Sequence, residues 1–425
     1  MPNIKDATEK QPNRVKATKA IGEAVEAYYE KCWSEAEKGA LTAWGEGIAY
    51  FPLIRAAGIN YVFADAMSAR MGARKFPYAK QAAEEFGFLD ESCSYARFHI
   101  GASRILKGDF PYDKKWDLKK IMAPLPDVYF NTDACSAGNT WGETLSRYLN
   151  IPTYTIFTRR VFNKAEWEPE KAHVVEQLKE MITFIEKLTG KPYDWDKLHE
   201  VMTILKQSAA MRKKFRELMK LRPAPLTYFD VLSTFASFTI LHGLPEAPKL
   251  LGDVVKECEE RVAQGISGVP NERYRIYWLG AMFWSKLGYM ADKFAKLDVT
   301  VVGGTYDFMF FPDPEEVDPG HPLETLAQAP ISCGYTTDNT TSSEMTDFRL
   351  AKEYGIDGII CYECHTCRLQ SGVNHDRVDY VAKRLGVPVI YVQGDFVDDA
   401  FFSEAQFDTR VQGLLEVIDA RRRGK

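Results

Sequence analysis

Two stretches of this chain, far apart in sequence, carry the same succession of cysteine, apolar strand, further cysteine and second strand. The first runs Cys93-Ser94-Tyr95, then Asp127-Val128-Tyr129-Phe130 leading to Cys135, then Ile151-Pro152-Thr153-Tyr154. The second runs Cys333-Gly334-Tyr335, then Asp357-Gly358-Ile359-Ile360 leading to Cys361, Cys364 and Cys367, then Val387-Pro388-Val389-Ile390. An order repeated in this way reads as two copies of one doubly wound module. Strands are expected at 60–65, 127–133 and 152–158 in the first copy and at 299–302, 358–362 and 387–393 in the second. Each pair is separated by enough chain for a helical crossover, the mark of a parallel sheet.

The remaining segments read as helices. Residues 20–38 place Ile21, Val25, Tyr28, Tyr29 and Cys32 on one face. Periodic apolar positions predict helices over 171–188 and 195–221, the second stopped by Arg222-Pro223-Ala224-Pro225, and further helices over 229–241 and 250–264. The aromatic segment 274–289, with Trp278, Phe283 and Trp284, reads as a core helix. Helices at 344–353, 374–385 and 409–421 alternate with the strands of the second copy. The expected fold class is α/β, with two Rossmann-like domains, each a doubly wound parallel sheet. A helical arm at 1–45 precedes the first domain at 46–165, a helical connecting region spans 166–297, and the second domain is 298–425. A chain of 425 residues is long enough for this plan.

Composition narrows the function by exclusion. A formal net charge of -5 gives no general attraction to nucleic acid, and the one dense basic run, Arg421-Arg422-Arg423-Gly424-Lys425, reads as a solvated helix end. The first nineteen residues lack an apolar core typical of a secretory signal, and no run approaches the roughly 18 apolar residues of a membrane span. The expected location is the cytoplasm. Thiols stay reduced there, so eight cysteines point to metal or redox chemistry rather than to disulfides.

The densest group is Cys361-Tyr362-Glu363-Cys364-His365-Thr366-Cys367, three thiols at three-residue spacing behind a strand. Cys93, Cys135 and Cys333 each precede a helical segment, and ligands of open α/β sheets bind beyond the carboxyl ends of strands. Helix N-termini favour anionic thiolates. Six cysteines are therefore expected to converge on one cleft: Cys93, Cys135, Cys333, Cys361, Cys364 and Cys367. The competing reading keeps Cys93, Cys135 and Cys333 as core thiols. Cys32 and Cys258 read as non-ligands. Zinc would need four tetrahedral donors, with His365 or a distant cysteine completing the C-terminal trio; the overlapping CxxCxxC is closer to iron–sulfur usage. Six thiolates are too many for one 4Fe-4S cubane and could serve two.

No Walker A loop, dinucleotide glycine fingerprint or G-x-S-x-G elbow is present, so nucleotide input is expected from another protein. At this point the chain resembles the 2-hydroxyacyl-CoA dehydratase and benzoyl-CoA reductase superfamily. The resemblance rests on Cys93-Ser94-Tyr95-Ala96-Arg97, on Pro126-Asp127 running to Cys135, on Asp357-Gly358-Ile359-Ile360 running to Cys367, and on Gly394-Asp395-Phe396-Val397-Asp398 followed by Phe401-Phe402-Ser403.

The resemblance implies two Rossmann-like domains and one 4Fe-4S cluster held by Cys93, Cys135 and Cys367. It also implies a separate ATP-hydrolysing iron–sulfur activator as electron donor, and a dimer. The added Cys333, Cys361 and Cys364 make the chain most similar to the double-cubane-cluster branch, in which two bridged 4Fe-4S units serve a low-potential reductase of small or recalcitrant substrates. A homodimer is then expected. The alternatives are a single-cluster subunit acting on acyl-CoA substrates, and a non-enzymatic metal or electron carrier. Reduction consumes protons, so His365, Glu363, His375 and Tyr335 are candidate proton donors; each could equally bond a sulfide or cap a helix.

Overall fold

Asp127 and Asp357 show how the duplication is built. In this computed structural model, which describes residues 12–46, 50–133, 135–159, 161, 164–307, 312–332 and 341–424, Asp127 Oδ2 accepts the Thr42 N–H at 2.8 Å and the Asp127 N–H returns to the Thr42 carbonyl. Asp357 makes the same pair of bonds with Arg275. Each aspartate stands at the head of a strand and pins it to the head of its neighbour, fixing the register of the two central strands.

The first half runs α1 (Thr18–Ala36), β1 (Thr42–Gly45), α2 (Phe51–Ala56), β2 (Asn60–Phe63), α3 (Ala64–Ala73), α4 (Tyr78–Glu85), α5 (Ser94–Lys107), β3 (Val128–Thr132), α6 (Ser136–Leu149) and β4 (Thr153–Ile156). The middle holds α7 (Trp167–Thr189), α8 (Trp195–Lys220), α9 (Tyr228–Ser233) and α10 (Glu246–Gln264). The second half runs β5 (Tyr274–Gly280), α11 (Leu287–Lys296), β6 (Val299–Gly304), α12 (Pro322–Ser332), α13 (Thr341–Tyr354), β7 (Gly358–Cys364), α14 (Arg368–Leu385), β8 (Val389–Gly394) and α15 (Glu404–Arg423).

Two four-stranded parallel sheets result, ordered β2-β1-β3-β4 and β6-β5-β7-β8. Both follow one topology, in which the second strand of the module lies outside the first and the third and fourth lie on its other side. The direction of winding therefore reverses between β1 and β3, and again between β5 and β7. Crevices at carboxyl ends open at such reversals. α8 and α10 pack together, and α8 also reaches α2 and β6, so the middle helices bind both halves. No described helix is long and apolar enough to cross a membrane.

Several expectations are corrected. The aromatic segment at 274–289 is not a helix; its first part is β5, the central strand of the second sheet, with all seven residues buried. A strand covered on both faces shows a continuous apolar run, which periodicity alone cannot tell from a core helix. β1 is four residues long and was missed for the same reason. β1 thus falls inside the expected arm at 1–45, and β5 inside the expected connecting helices at 166–297. The helix expected over 229–241 is α9 followed by a 3₁₀ turn, Phe235–Phe238. β7 runs past the expected 358–362 to Cys364, so Cys364 as well as Cys361 is a strand residue.

Candidate active site

Three cysteines stand at the N-caps of three helices: Cys93 before α5, Cys135 before α6 and Cys367 before α14. Two of these helices follow the strands that flank the winding reversals, β3 and β7. Cys135 caps its own helix, its Sγ accepting the Gly138 N–H at 3.3 Å. All three thiols line one cavity of about 360 Å³, and each keeps some exposed surface there while the core around it is closed.

The two halves are stitched together beside this cavity. The Ser94 N–H donates to Thr366 Oγ1 at 3.1 Å, and Thr366 Oγ1 donates to Asp395 Oδ2 at 2.5 Å. Tyr95 stacks on Phe396 at 4.4 Å between ring centres. The Trp284 indole N–H donates to the Tyr95 hydroxyl. Arg97, fully buried, pairs with Asp398 at 2.8 Å. The residues flanking Cys93 and Cys367 are thereby held in one rigid frame.

The other cysteines separate. Cys364 is buried on the strand face that looks towards Cys93 and Cys367, and its Sγ donates to Asp395 Oδ2 at 3.7 Å. Cys361 lies three residues earlier on the opposite face of β7, fully buried; the charges that act on it are Glu363, Arg377 and Asp347. Cys32 and Cys258 are buried in α1 and α10, away from the cavity. Cys333 and Tyr335 lie outside the described residues, as does most of the polar segment 336–343. Of the expected proton donors, His365 is exposed and stacks on Phe401, His375 is exposed and bonds the Tyr391 hydroxyl at 3.0 Å, and Glu363 points to the Cys361 side. None of the three lines the cavity.

Two carboxyl groups that sequence reasoning missed do line it. Glu46 follows β1 and Asp65 follows β2, both at carboxyl ends of the first sheet. Burial, with Asp65 and Asp133 nearby, pushes Glu46 far above the usual carboxylate range. Burial pushes Asp65 up to about 7. A Cβ on Gly138 would stand 2.0 Å from Glu46 Oε1, so the glycine admits this carboxyl to the first turn of α6. The available signal was an acidic residue just past a strand: β1 was not recognised ahead of Glu46, and Asp65 fell inside the strand expected over 60–65, whereas β2 ends at Phe63.

Burial pushes the thiols up as well: Cys93 far up, Cys135 to about 12 and Cys367 to about 11. Desolvation outweighs the three helix N-termini, so the thiolates expected at those caps need a cationic partner to form. Among the described residues no three His, Cys, Asp or Glu side chains converge on a point that one metal ion could occupy. The three thiols line one cavity, a donor set that a 4Fe-4S cluster would use.

Residues 50–418 match the family model described as 2-hydroxyglutaryl-CoA dehydratase, D-component. The chain belongs to this family. It is 26% identical to the lactoyl-CoA dehydratase subunit alpha of Anaerotignum propionicum over 90% of this chain and 92% of that protein. It is 26% identical to the (R)-2-hydroxyisocaproyl-CoA dehydratase alpha subunit of Clostridioides difficile, over 98% of both. Identity to a benzoyl-CoA reductase subunit of Thauera aromatica is 28%, over 80% of both. The family match takes in the second sheet, β2 to β4 of the first and all three cysteine caps, and of the residues that line the cavity only Glu46 lies before it.

Proposed function

We propose that this chain is the cluster-bearing subunit of a low-potential iron–sulfur enzyme of the acyl-CoA dehydratase and reductase type. The observation that carries the reading is the convergence of Cys93, Cys135 and Cys367, each a helix N-cap, on one cavity at the winding reversals of two sheets. These three thiols would hold a 4Fe-4S cluster, leaving one position open. When bound, such a cluster supplies electrons at low potential and an iron site accessible to substrate.

The protein's own part is proton handling and the exclusion of water. Glu46 and Asp65 sit at the cavity wall, where burial raises both carboxyls, Asp65 to about 7, so that a protonated carboxyl there would give its proton to a reduced substrate. Trp284, Tyr95 and Phe396 close the side formed by both halves. The chain carries no recognisable nucleotide loop, so a separate ATP-hydrolysing iron–sulfur activator would charge the cluster. A second polypeptide, identical or related, would complete the assembly, as suggested by relatives that are themselves named as subunits of larger enzymes.

A second reading has its own support. The Cys93 and Cys367 thiols lie near enough to Cys364 to act on it electrostatically, and the CxxCxxC run is more than one cubane needs. With Cys333 and Cys361 it would supply a second, bridged cubane and make the chain a double-cubane reductase. Iron and acid-labile sulfide per chain, measured after anaerobic purification, test both. About four iron atoms, lost in Cys93→Ala, Cys135→Ala and Cys367→Ala but kept in Cys361→Ala, support the first. About eight, halved in Cys361→Ala, support the second. Zinc in place of iron would overturn both.

A further inference from the structure

Beyond the cysteines, the two carboxyls, two arginines and a few uncharged polar residues such as Thr132, Ser233, Thr239 and Gln370, the cavity wall is apolar. α3 presents Ala66, Ala69 and Ala73 to it, one small residue per turn, which opens space rather than filling it. The wall also carries Leu232, Leu287 and an aromatic corner of Phe235, Trp284 and Tyr306. These three rings contact one another at 5.4–5.5 Å between centres, so the corner is a preformed surface for flat or branched apolar groups.

Among the described residues only two cationic side chains reach the wall, and both are already paired. Arg70 donates to both oxygens of Glu26 at 2.7 and 2.6 Å and to the Lys120 carbonyl. Arg377 pairs with the buried Asp347 and reaches Thr305 Oγ1. The ionisable groups that remain besides the cysteines and tyrosines, Glu46 and Asp65, are carboxyls and supply no positive charge. A carboxylate brought in on a substrate would be desolvated with no free counter-charge at the wall.

We propose that this cavity accepts an apolar, uncharged acyl group, aromatic or branched aliphatic, and rejects an acyl group that ends in a carboxylate. The inference rests on the acyl-CoA reading above and adds the class of acyl group. It follows from the wall of this chain, since the family model's description names the dicarboxylic glutaryl type.

The test is anaerobic calorimetric titration of the cluster-loaded protein with benzoyl-CoA and with glutaryl-CoA. The two ligands share the CoA moiety, so the difference in affinity belongs to the acyl group. Benzoyl-CoA is expected to bind at least about 100-fold tighter. Glutaryl-CoA binding as tightly overturns the inference and leaves the acyl-CoA reading standing, whereas failure of both thioesters to bind overturns the two together. Ala69→Phe supplies a second readout by filling the α3 side. It should weaken benzoyl-CoA about 10-fold or more while acetyl-CoA changes little. Equal loss for both, or loss for neither, puts the acyl group elsewhere.

Discussion

Replacing Asp398 by Ala should destabilise the protein much more than replacing its partner Arg97 by Met. Arg97 lies on α5 one turn past Cys93, and Asp398 lies in the second half beyond β8, so their 2.8 Å contact spans the two halves beside the cavity. Arg97 is 0% exposed, and its Nε has no hydrogen-bond partner among the described residues. Without Asp398 the guanidinium keeps only Glu84, 3.5 Å away, and a buried charge so stranded costs about 3–5 kcal/mol. Without Arg97, Asp398 still has Lys80 at 2.9 Å and the Ala400 N–H at 3.0 Å. Met refills the volume and removes the unsatisfied Nε, so R97M should cost about 1 kcal/mol. Burial alone would raise the Asp398 carboxyl, but Lys80, the Ala400 N–H and Arg97 together hold it below the usual range. A depressed carboxyl contributes stability above its unfolded pKa of about 3.9 and loses it as pH falls further. The gap between D398A and the parent should therefore shrink below about pH 4. Anaerobic urea unfolding at pH 7, with unchanged m-values, gives both numbers. An R97M cost equal to or larger than that of D398A would refute the argument.

Two glycines in helices should respond to alanine with opposite signs. A Cβ on Gly101 would stand 1.7 Å from the Ala79 carbonyl oxygen where α5 crosses α4, so G101A must push backbone apart and cost about 1–3 kcal/mol or more. Gly252 in α10 has nothing within 4 Å of that position, and G252A should gain about 0.5–1 kcal/mol; thermal unfolding of the pair reads both. A third expectation concerns pH. Burial holds His242 neutral, its pKa pushed down to about 3. Between about 6.5 and 3 the unfolded chain binds the extra proton, so stability is lost as pH falls through that window. The raised carboxyls of Asp65 and Asp307 act in the opposite sense, so the measurement is the difference between parent and His242→Gln. That difference should move against the parent by about 1.4 kcal/mol per pH unit below 6.5; a flat difference would contradict it.

The duplication was legible because each copy spends a polar residue where structure demands one. Asp127 and Asp357 head the third strand of each module, and cysteines cap the helices that follow, so turn chemistry marked strand ends in an otherwise apolar stretch. Strands with no such punctuation were lost. β5 reads Tyr-Arg-Ile-Tyr-Trp-Leu-Gly, and nothing local says that its arginine is buried, bonding the Tyr354, Leu221 and Met219 carbonyls. Those partners come from distant segments, and the satisfaction of Arg275 is a tertiary fact that no window of sequence contains.

The site divides along the same line. Cys93, Cys135 and Cys367 could be placed before helices because a cysteine just ahead of a helical pattern marks an N-cap, the position the proposed role also uses. Cys361 shows the limit of spacing as a guide. Three-residue spacing puts thiols on one side only where the backbone is helical or turning, whereas in a strand an odd step moves the side chain to the opposite face. Since β7 continues to Cys364, the CxxCxxC run splits: Cys367 lines the cavity, Cys364 lies buried on the side of Cys93, Cys367 and Asp395, and Cys361 looks towards Arg377 and Asp347. For all six expected cysteines to share one cleft, the carboxyl end of β7 would have to unpair from β8, giving up the Cys361↔Tyr391 to Cys364↔Gly394 register. The double-cubane reading therefore carries a structural requirement as well as an iron count. Backbone amides of 361–364 should be slow to exchange hydrogen in a one-cubane protein and should lose that protection when a second cubane is loaded.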